Sequence, residues 1–402
     1  VEQEMGFKCF SHFLGTAEGL GLIEMARDAE HRGQMWIDLP GNSEALKKSA
    51  LPRPKPPPNE EDDGGVGGNL VASGQTRSKG AKYELDWSSI PQTPKLSGYA
   101  IYESMGRPKW VCAPMVEQSE LAFRMLCRRY GTHLCYTPMF HARLFLEDPL
   151  YRAEQFTTCA ADRPLVVQFC ANDPKIFAAA AQMVCGKCDA VDLNLGCPQG
   201  IAKRGRYGSY LMEELELVYS VVKEAHDKAR VPITCKIRVF PDDAETLQYA
   251  KCLQDAGAQM LTVHGRTRDN KGRGATPADW SIIKKVKEHV SIPVISNGNI
   301  YNRHDAVRCI EETGVDAIMS AEWLRRNPAL FSEQDEGSDP FRMASEYLVL
   351  CKEYPCPLSF VRAHIFKFLT DVPGGWQDHP DLREQMQLAK TEAKFAELVE
   401  EL

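Results

Sequence analysis

No apolar run in this 402-residue chain reaches the roughly 18 residues that a membrane-spanning helix requires. Residues 1–20 also lack the basic-then-apolar order of a secretion signal. An excess of positive charge is missing: 48 Lys and Arg stand against 55 Asp and Glu, for a net charge of -7. That excludes a globally basic nucleic-acid binder and confines any polyanion site to a local patch. The 14 cysteines have no disulfide-scaffold rhythm. Cys112, Cys135, Cys170 and Cys235 lie inside apolar runs and read as small core residues, a usage that suits a reducing compartment. A cytoplasmic or nuclear setting is therefore expected, with an organellar one left open. Cys185 and Cys188 form a lone CxxC without a second pair at zinc spacing, so no metal site is expected. No GxGxxG opens a helix after the first strand-like run, which argues against a dinucleotide-binding open sheet.

The chain does have enough apolar residues, 43%, for a sizeable core. Residues 1–48 read as a mixed segment of unknown role, with a helix around 17–32. Residues 49–96 read as a disordered linker: Pro52, Pro54, Pro56, Pro57 and Pro58 precede Glu60-Glu61-Asp62-Asp63 and then glycines. Such a stretch buries too little apolar surface to offset its ordering entropy.

From residue 97 the pattern changes. Apolar runs at 110–115, 134–139, 164–170, 190–196, 232–239, 259–265, 293–298 and 317–321 each end in a polar or glycine-bearing turn. Amphipathic segments at 118–130, 174–185, 213–229, 244–256, 277–289 and 303–312 follow most of them. Eight β/α units predict an α/β fold with a parallel sheet, and the count favours a closed (β/α)8 TIM barrel over 97–335. Spacing alone leaves an open sheet compatible. After Pro340 the strands stop. Segments 341–352, 360–369 and 382–402 read as helices of a small C-terminal domain, 336–402.

In such a barrel the chemistry gathers at the C-terminal ends of the strands. There stand Pro114-Met115, Gln168, Asn194, Cys197, Lys236, Arg238, His264, Arg266, Asn297-Gly298-Asn299 and Ala321-Glu322. The set suits a flat, anionic cofactor. Lys236, a cation among apolar neighbours, fits the flavin edge that gains negative charge on reduction. Gln168 can donate and accept along a pyrimidine edge. Asn297-Gly298-Asn299 follows strand seven, where barrels bind phosphate through backbone N–H groups. Cys197 lies between Gly196 and Pro198 on the loop after Asn194-Leu195, with Lys203 and Arg204 a few residues on. Three readings are open to it: proton donor, since a thiol is mostly protonated at neutral pH; nucleophile, if the cations draw near; or buried structural thiol. His264 reads as an acid or base, a ligand-orienting group, or a structural histidine.

The motifs Ala113-Pro114-Met115, Leu193-Asn194-Leu195-Gly196-Cys197-Pro198, Lys236-Ile237-Arg238, Thr262-Val263-His264-Gly265-Arg266 and Asn297-Gly298-Asn299 together resemble those of the tRNA-dihydrouridine synthases. The similarity runs from about residue 107 to 335 and weakly beyond. The block from Gln199 to Gly208 resembles the eukaryotic branch acting on D-loop uridines 16 and 17. The resemblance implies an FMN-binding barrel, a helical tRNA-binding domain and NADPH or NADH as reductant. It implies reduction of uridine to 5,6-dihydrouridine, with hydride from reduced FMN to C6 and a proton from Cys197 to C5. By this resemblance Pro114, Met115, Val116, Gln168, Lys236, His264, Asn297, Gly298, Asn299, Ala321 and Glu322 bind the flavin. Asn194, Lys203, Arg204, Arg238 and Arg266 bind the tRNA substrate. Arg206, Arg268, Lys271, Arg273, Arg325 and Arg326 are further candidates for phosphate contact, and Arg362, His364 and Lys367, on one face of a tail helix, read equally as the lining of an RNA groove or as the solvent face of an amphipathic helix. Trp323 departs from the pattern, since the close branch has glycine there. Two other readings stand beside this one: a flavin barrel reducing a free pyrimidine or another small molecule, and a non-catalytic RNA-binding relative.

Overall fold

The computed structural model describes residues 24–27, 35–38, 85–90, 96–272, 274–333 and 339–402. The chain divides into two compact units, Val1–Gly65 and Val66–Leu402. In the first, strands Glu24–Arg27 and Met35–Asp38 pair antiparallel, with Glu24 opposite Asp38. This corrects the helix expected around 17–32. Gly19 and Gly21 weaken a helix there, and Met35-Trp36-Ile37 offers strand-forming residues to pair with. The rest of 1–48, and 49–84 and 91–95 of the stretch read as linker, lie outside the described residues. Leu85 and Trp87, in the same stretch, pack partly buried against the core of the second unit.

That unit is built on eight parallel strands: β1 (Trp110–Cys112), β2 (Leu134–Tyr136), β3 (Leu165–Cys170), β4 (Ala190–Leu195), β5 (Ile233–Arg238), β6 (Leu261–His264), β7 (Val294–Asn297) and β8 (Ala317–Ser320). Each pairs with the next, and β8 pairs back onto β1 with Met319 opposite Val111, so the barrel is closed. Helix α1 (Tyr99–Ser104) precedes β1. Between strands run α2 (Leu121–Arg129), α3 (Ala142–Glu147), α4 (Pro149–Gln155), α5 (Pro174–Met183), α6 (Gly200–Gly205), α7 (Leu215–Lys228), α8 (Asp243–Asp255), α9 (Trp280–His289) and α10 (Arg303–Thr313). Short side chains start them: Asp173, Asp242, Asp279 and Asn302 each accept a backbone N–H of the first turn.

A period of two sorts the strand residues. Ile233, Cys235 and Ile237 of β5 face the helical layer and belong to the main apolar core. Thr234, Lys236 and Arg238 alternate with them and face the lumen. A separate apolar cluster, including Val111, Leu134, Val166, Ala190, Ile295 and Ala317 with Ile101 and Met105 from α1's end of the barrel, fills the lumen floor. Above it the lumen becomes polar: Gln168, Asp192, Thr234 and Thr262 are all buried there.

After β8 come α11 (Glu322–Arg326), α12 (Pro340–Glu353), α13 (Leu358–Phe368), α14 (Pro380–Leu388) and α15 (Glu392–Glu401). The single helix expected over 382–402 is two, because Thr391 starts a new one by accepting the Lys394 N–H at 3.2 Å. Tail side chains such as Tyr347, Phe368, Trp376 and Phe395 share one continuous core with the barrel's outer layer.

Candidate functional site

Strand register brings six of the expected residues together at the upper lumen. Gln168 pairs with Asp192, Asn194 with Lys236, Arg238 with His264, and His264 with Asn297. Beneath them, Asp192 accepts hydrogen bonds from Gln168 Nε2 (2.8 Å) and Thr234 Oγ1 (2.7 Å). Burial pushes its carboxyl up to about 6, against those two bonds and the charge of Lys236. The Gln168 oxygen accepts from Asn194 Nδ2 at 2.9 Å. Gln168, fully buried, therefore has one amide hydrogen and one lone pair beyond these two bonds.

Asn194 shapes the loop that carries Cys197. Its Oδ1 accepts the backbone N–H of Gly196 (3.1 Å) and of Cys197 (2.9 Å). Arg238 holds the same loop from the other side: Nε donates to the Gly196 carbonyl at 2.9 Å, and Nη1 to the carbonyls of Thr267 (2.8 Å) and Asn270 (3.1 Å). Gly208, at φ +65°, lies so close that a Cβ there would stand 2.7 Å from the Cys197 carbonyl oxygen and 3.0 Å from its Cβ. Burial pushes the Cys197 thiol up, outweighing the Gln199 N–H and the charges of Arg238, Lys236 and Lys271. These are the cations that act on it. Lys203 and Arg204 are exposed on α6, and among the described residues neither forms an ion pair.

Lys236 Nζ donates to Asn297 Oδ1 at 3.0 Å, and Asn297 Nδ2 is fixed on the Met319 carbonyl at 3.0 Å. Burial, with Arg238 nearby, pulls the lysine down to about 8. His264 is pushed well below the ordinary histidine value by burial and by Lys236, Arg238 and Arg266. Arg266 Nη1 lies 3.2 Å from His264 Nε2, and a guanidinium only donates, so the neutral ring carries its proton on Nδ1. Arg266 also donates to Asn299 Oδ1 (2.6 Å) and the Thr276 carbonyl (2.8 Å). The turn after β7 reverses through left-handed backbone at Gly298 (φ +113°) and Asn299 (φ +59°).

The remaining expected residues sit on the rim. Pro114 and Met115 are half-buried and Val116 exposed, on a turn closed by reciprocal bonds between Ser119 Oγ and the Met115 backbone (3.0 and 3.1 Å). Ala321 precedes α11. The Glu322 carboxylate turns to Arg325, to Arg326 (3.3 Å) and to Lys367 of the tail (3.0 Å). Several candidate phosphate contacts are engaged elsewhere: Arg206 with Glu214, Arg268 with Glu213, Arg326 with Asp371. Arg273 lies outside the described residues. The tail face expected of Arg362, His364 and Lys367 does not exist as such. His364 is fully buried, stacked on Phe123 and bonded to Glu120, while Arg362 ties the carbonyls of Met386 and Ala389. Helical spacing groups residues on a face without saying whether that face packs. Asp192, Thr234 and Ser119 support the site but were not among the expected residues. For the first two, the polar-apolar alternation of Asp192-Leu193-Asn194 and Thr234-Cys235-Lys236 was the available signal.

A family model for dihydrouridine synthase (Dus) matches residues 111–399, from β1 into α15. The chain belongs to the Dus family. It is 51% identical over 303 residues to a rat protein named as an NAD(P)(+) tRNA-dihydrouridine(16/17) synthase-like protein, a stretch covering 74% of this chain and 68% of the rat one. Against the NAD(P)(+) tRNA-dihydrouridine(16/17) synthase of Saccharomyces cerevisiae, identity is 43% over 322 residues, 77% of this chain and 75% of the yeast one. A mouse tRNA-dihydrouridine(20a/20b) synthase-like protein is 36% identical over 265 residues, 65% of this chain and 80% of its own. The Dus match spans barrel and tail together, so it covers every residue of the site. No helix among the described residues is long and apolar enough to cross a membrane, and no group of three or more His, Cys, Asp or Glu among them is arranged to hold a metal.

Proposed function

We propose that this Dus chain reduces uridine to 5,6-dihydrouridine in the D-loop of tRNA, at position 16 or 17, with NADPH or NADH as reductant. The observation that carries this is the clamped Cys197 loop standing over Lys236 and His264 at the mouth of a closed barrel. The higher identity to proteins named for positions 16/17 than to one named for 20a/20b supports the position.

The residues fit FMN. Lys236 is a partly buried ammonium whose hydrogen-bond partner is the neutral Asn297 amide, so it remains available to a group that gains negative charge. When bound, FMN supplies two-electron, hydride-donating chemistry. Lys236 and Gln168 hold its ring edge. Backbone N–H groups of Gly298, Asn299, Ala321 and Glu322 hold its phosphate, and Pro114, Met115 and Val116 border the ring. The raised thiol of Cys197 keeps its proton at neutral pH and delivers it from Sγ to C5 of the uracil. Neutral His264, fixed by Arg266, orients the base. Asn194 and Arg238 position the Cys197 loop, and Lys203 and Arg204 meet tRNA phosphates on the rim. The target uracil must leave its stack, at a cost of a few kcal/mol that is smaller in a loop than in a stem. Mapping dihydrouridine in cellular tRNA with and without the gene tests the proposal. Loss at position 16 or 17 is expected, and unchanged modification at both counts against it.

A further inference from the structure

Tyr301 and Trp323 are among the few large apolar side chains left exposed, at 46% and 39%. Neither belongs to the apolar core. Their rings meet edge to face, 5.2 Å apart and 88° between planes. Tyr301 follows β7 and Trp323 follows β8, so the pair stands on the barrel face that carries Cys197. It is wired to the site: Tyr301 Oη donates to Asn299 Oδ1 (3.4 Å), the atom that also accepts from Arg266 (2.6 Å), and Arg266 reaches His264. The Arg326 guanidinium lies over the Trp323 ring, 5.3 Å from its centre. Helix α11, which carries Trp323, is tied to the tail through Glu322 with Lys367 and through Arg326 with Asp371 (3.0 and 2.9 Å). The aromatic pair thus stands between mouth and tail.

We infer that Trp323 and Tyr301 form a stacking platform for an unpaired nucleobase of the tRNA, beside the flipped target uridine. Exposed aromatic rings bind single-stranded bases by their faces, whatever the base. A ligand that engages both the mouth and the tail crosses this platform, and a polynucleotide does so. A nicotinamide dinucleotide needs the mouth alone. The inference rests on the tRNA reading above.

The test measures affinity for an unmodified tRNA transcript over a salt series, using flavin-loaded wild-type, Trp323→Ala, Trp323→Phe and Tyr301→Ala proteins of matched melting temperature. Trp323→Ala is expected to bind roughly five- to hundredfold more weakly, and Trp323→Phe to recover most of the loss. The salt slope is expected to stay unchanged, because no phosphate contact is removed. Half-saturation by NADPH in flavin reduction is expected to be unaltered. Affinity within twofold of wild type in both alanine variants overturns the inference alone. So does a shift confined to NADPH half-saturation, which would give the rings to the dinucleotide's adenine. A wild-type protein without tRNA affinity overturns the proposed function and this inference with it.

Discussion

At Lys236 the fold holds an ammonium where burial disfavours it. Its pKa drops from 10.5 to about 8. The sign follows from linkage: below about 8 both folded and unfolded chains carry the proton, so the full cost of the buried charge is present at neutral pH. That cost disappears as pH rises from about 8 toward 10.5. An anionic ligand at this position relieves it. FMN affinity is therefore expected to fall as pH climbs through 8, and in Lys236→Met to be weaker and flat with pH over the same range. A wild-type affinity independent of pH between 7 and 9.5, measured by flavin fluorescence, contradicts the role given to Lys236. The thiol of Cys197 is shifted the opposite way in charge terms: burial there favours the neutral, proton-bearing form, as a proton donor requires. Lys203 and Arg204 were the cations adjacent in sequence, whereas the fold sets Arg238, Lys236 and Lys271 near the thiol, because strand register puts Lys236 and Arg238 beside the Cys197 loop while Lys203 and Arg204 are exposed on α6.

The elements that carry chemistry are strand ends and the turns after them. The turn after β7 is packed without slack: a Cβ on Gly298 would stand 2.6 Å from Ala278 Cβ and 3.0 Å from His264 Cδ2, at a φ that side chains rarely adopt. Gly298→Ala is expected to cost about 2–3 kcal/mol of unfolding free energy and to lower flavin content by displacing His264. Denaturant unfolding and flavin absorbance check both, and a variant with wild-type stability and full flavin would show that the turn yields freely. All eight strands and their turns were legible in the sequence, because buried parallel strands are short apolar runs closed by glycine or polar residues. Strand-end polar residues were legible for the same reason. Less legible were the helices of the tail. The break at Thr391 depends on one cap, and the burial of His364 depends on Glu120 and Phe123, which lie far away in sequence.

On the scale of the whole second unit, the barrel and the tail are one packed body. Glu120 starts α2 by accepting the Phe123 N–H at 3.2 Å, and the same carboxylate accepts from Tyr347 Oη at 2.7 Å and meets His364 Nε2 at 3.2 Å. A tail anchored in this way keeps a fixed orientation to the catalytic mouth, which a substrate as large as tRNA needs if it is to be gripped away from the base being reduced. In the sequence the two separate where the strand pattern stops, after Pro340. Packing across α2, α12 and α13 joins them, and no local pattern announces contacts between segments more than 200 residues apart. The most direct measurement combines purified flavin-loaded protein, NADPH and an unmodified tRNA transcript, with dihydrouridine read by mass spectrometry at each D-loop position. The wild type is expected to form dihydrouridine at position 16 or 17, and Cys197→Ala to retain flavin and tRNA binding while losing at least about a hundredfold in rate, the scale of a lost general acid. Undiminished turnover by Cys197→Ala, or no dihydrouridine from a flavin-loaded wild type that binds the tRNA, would contradict the account.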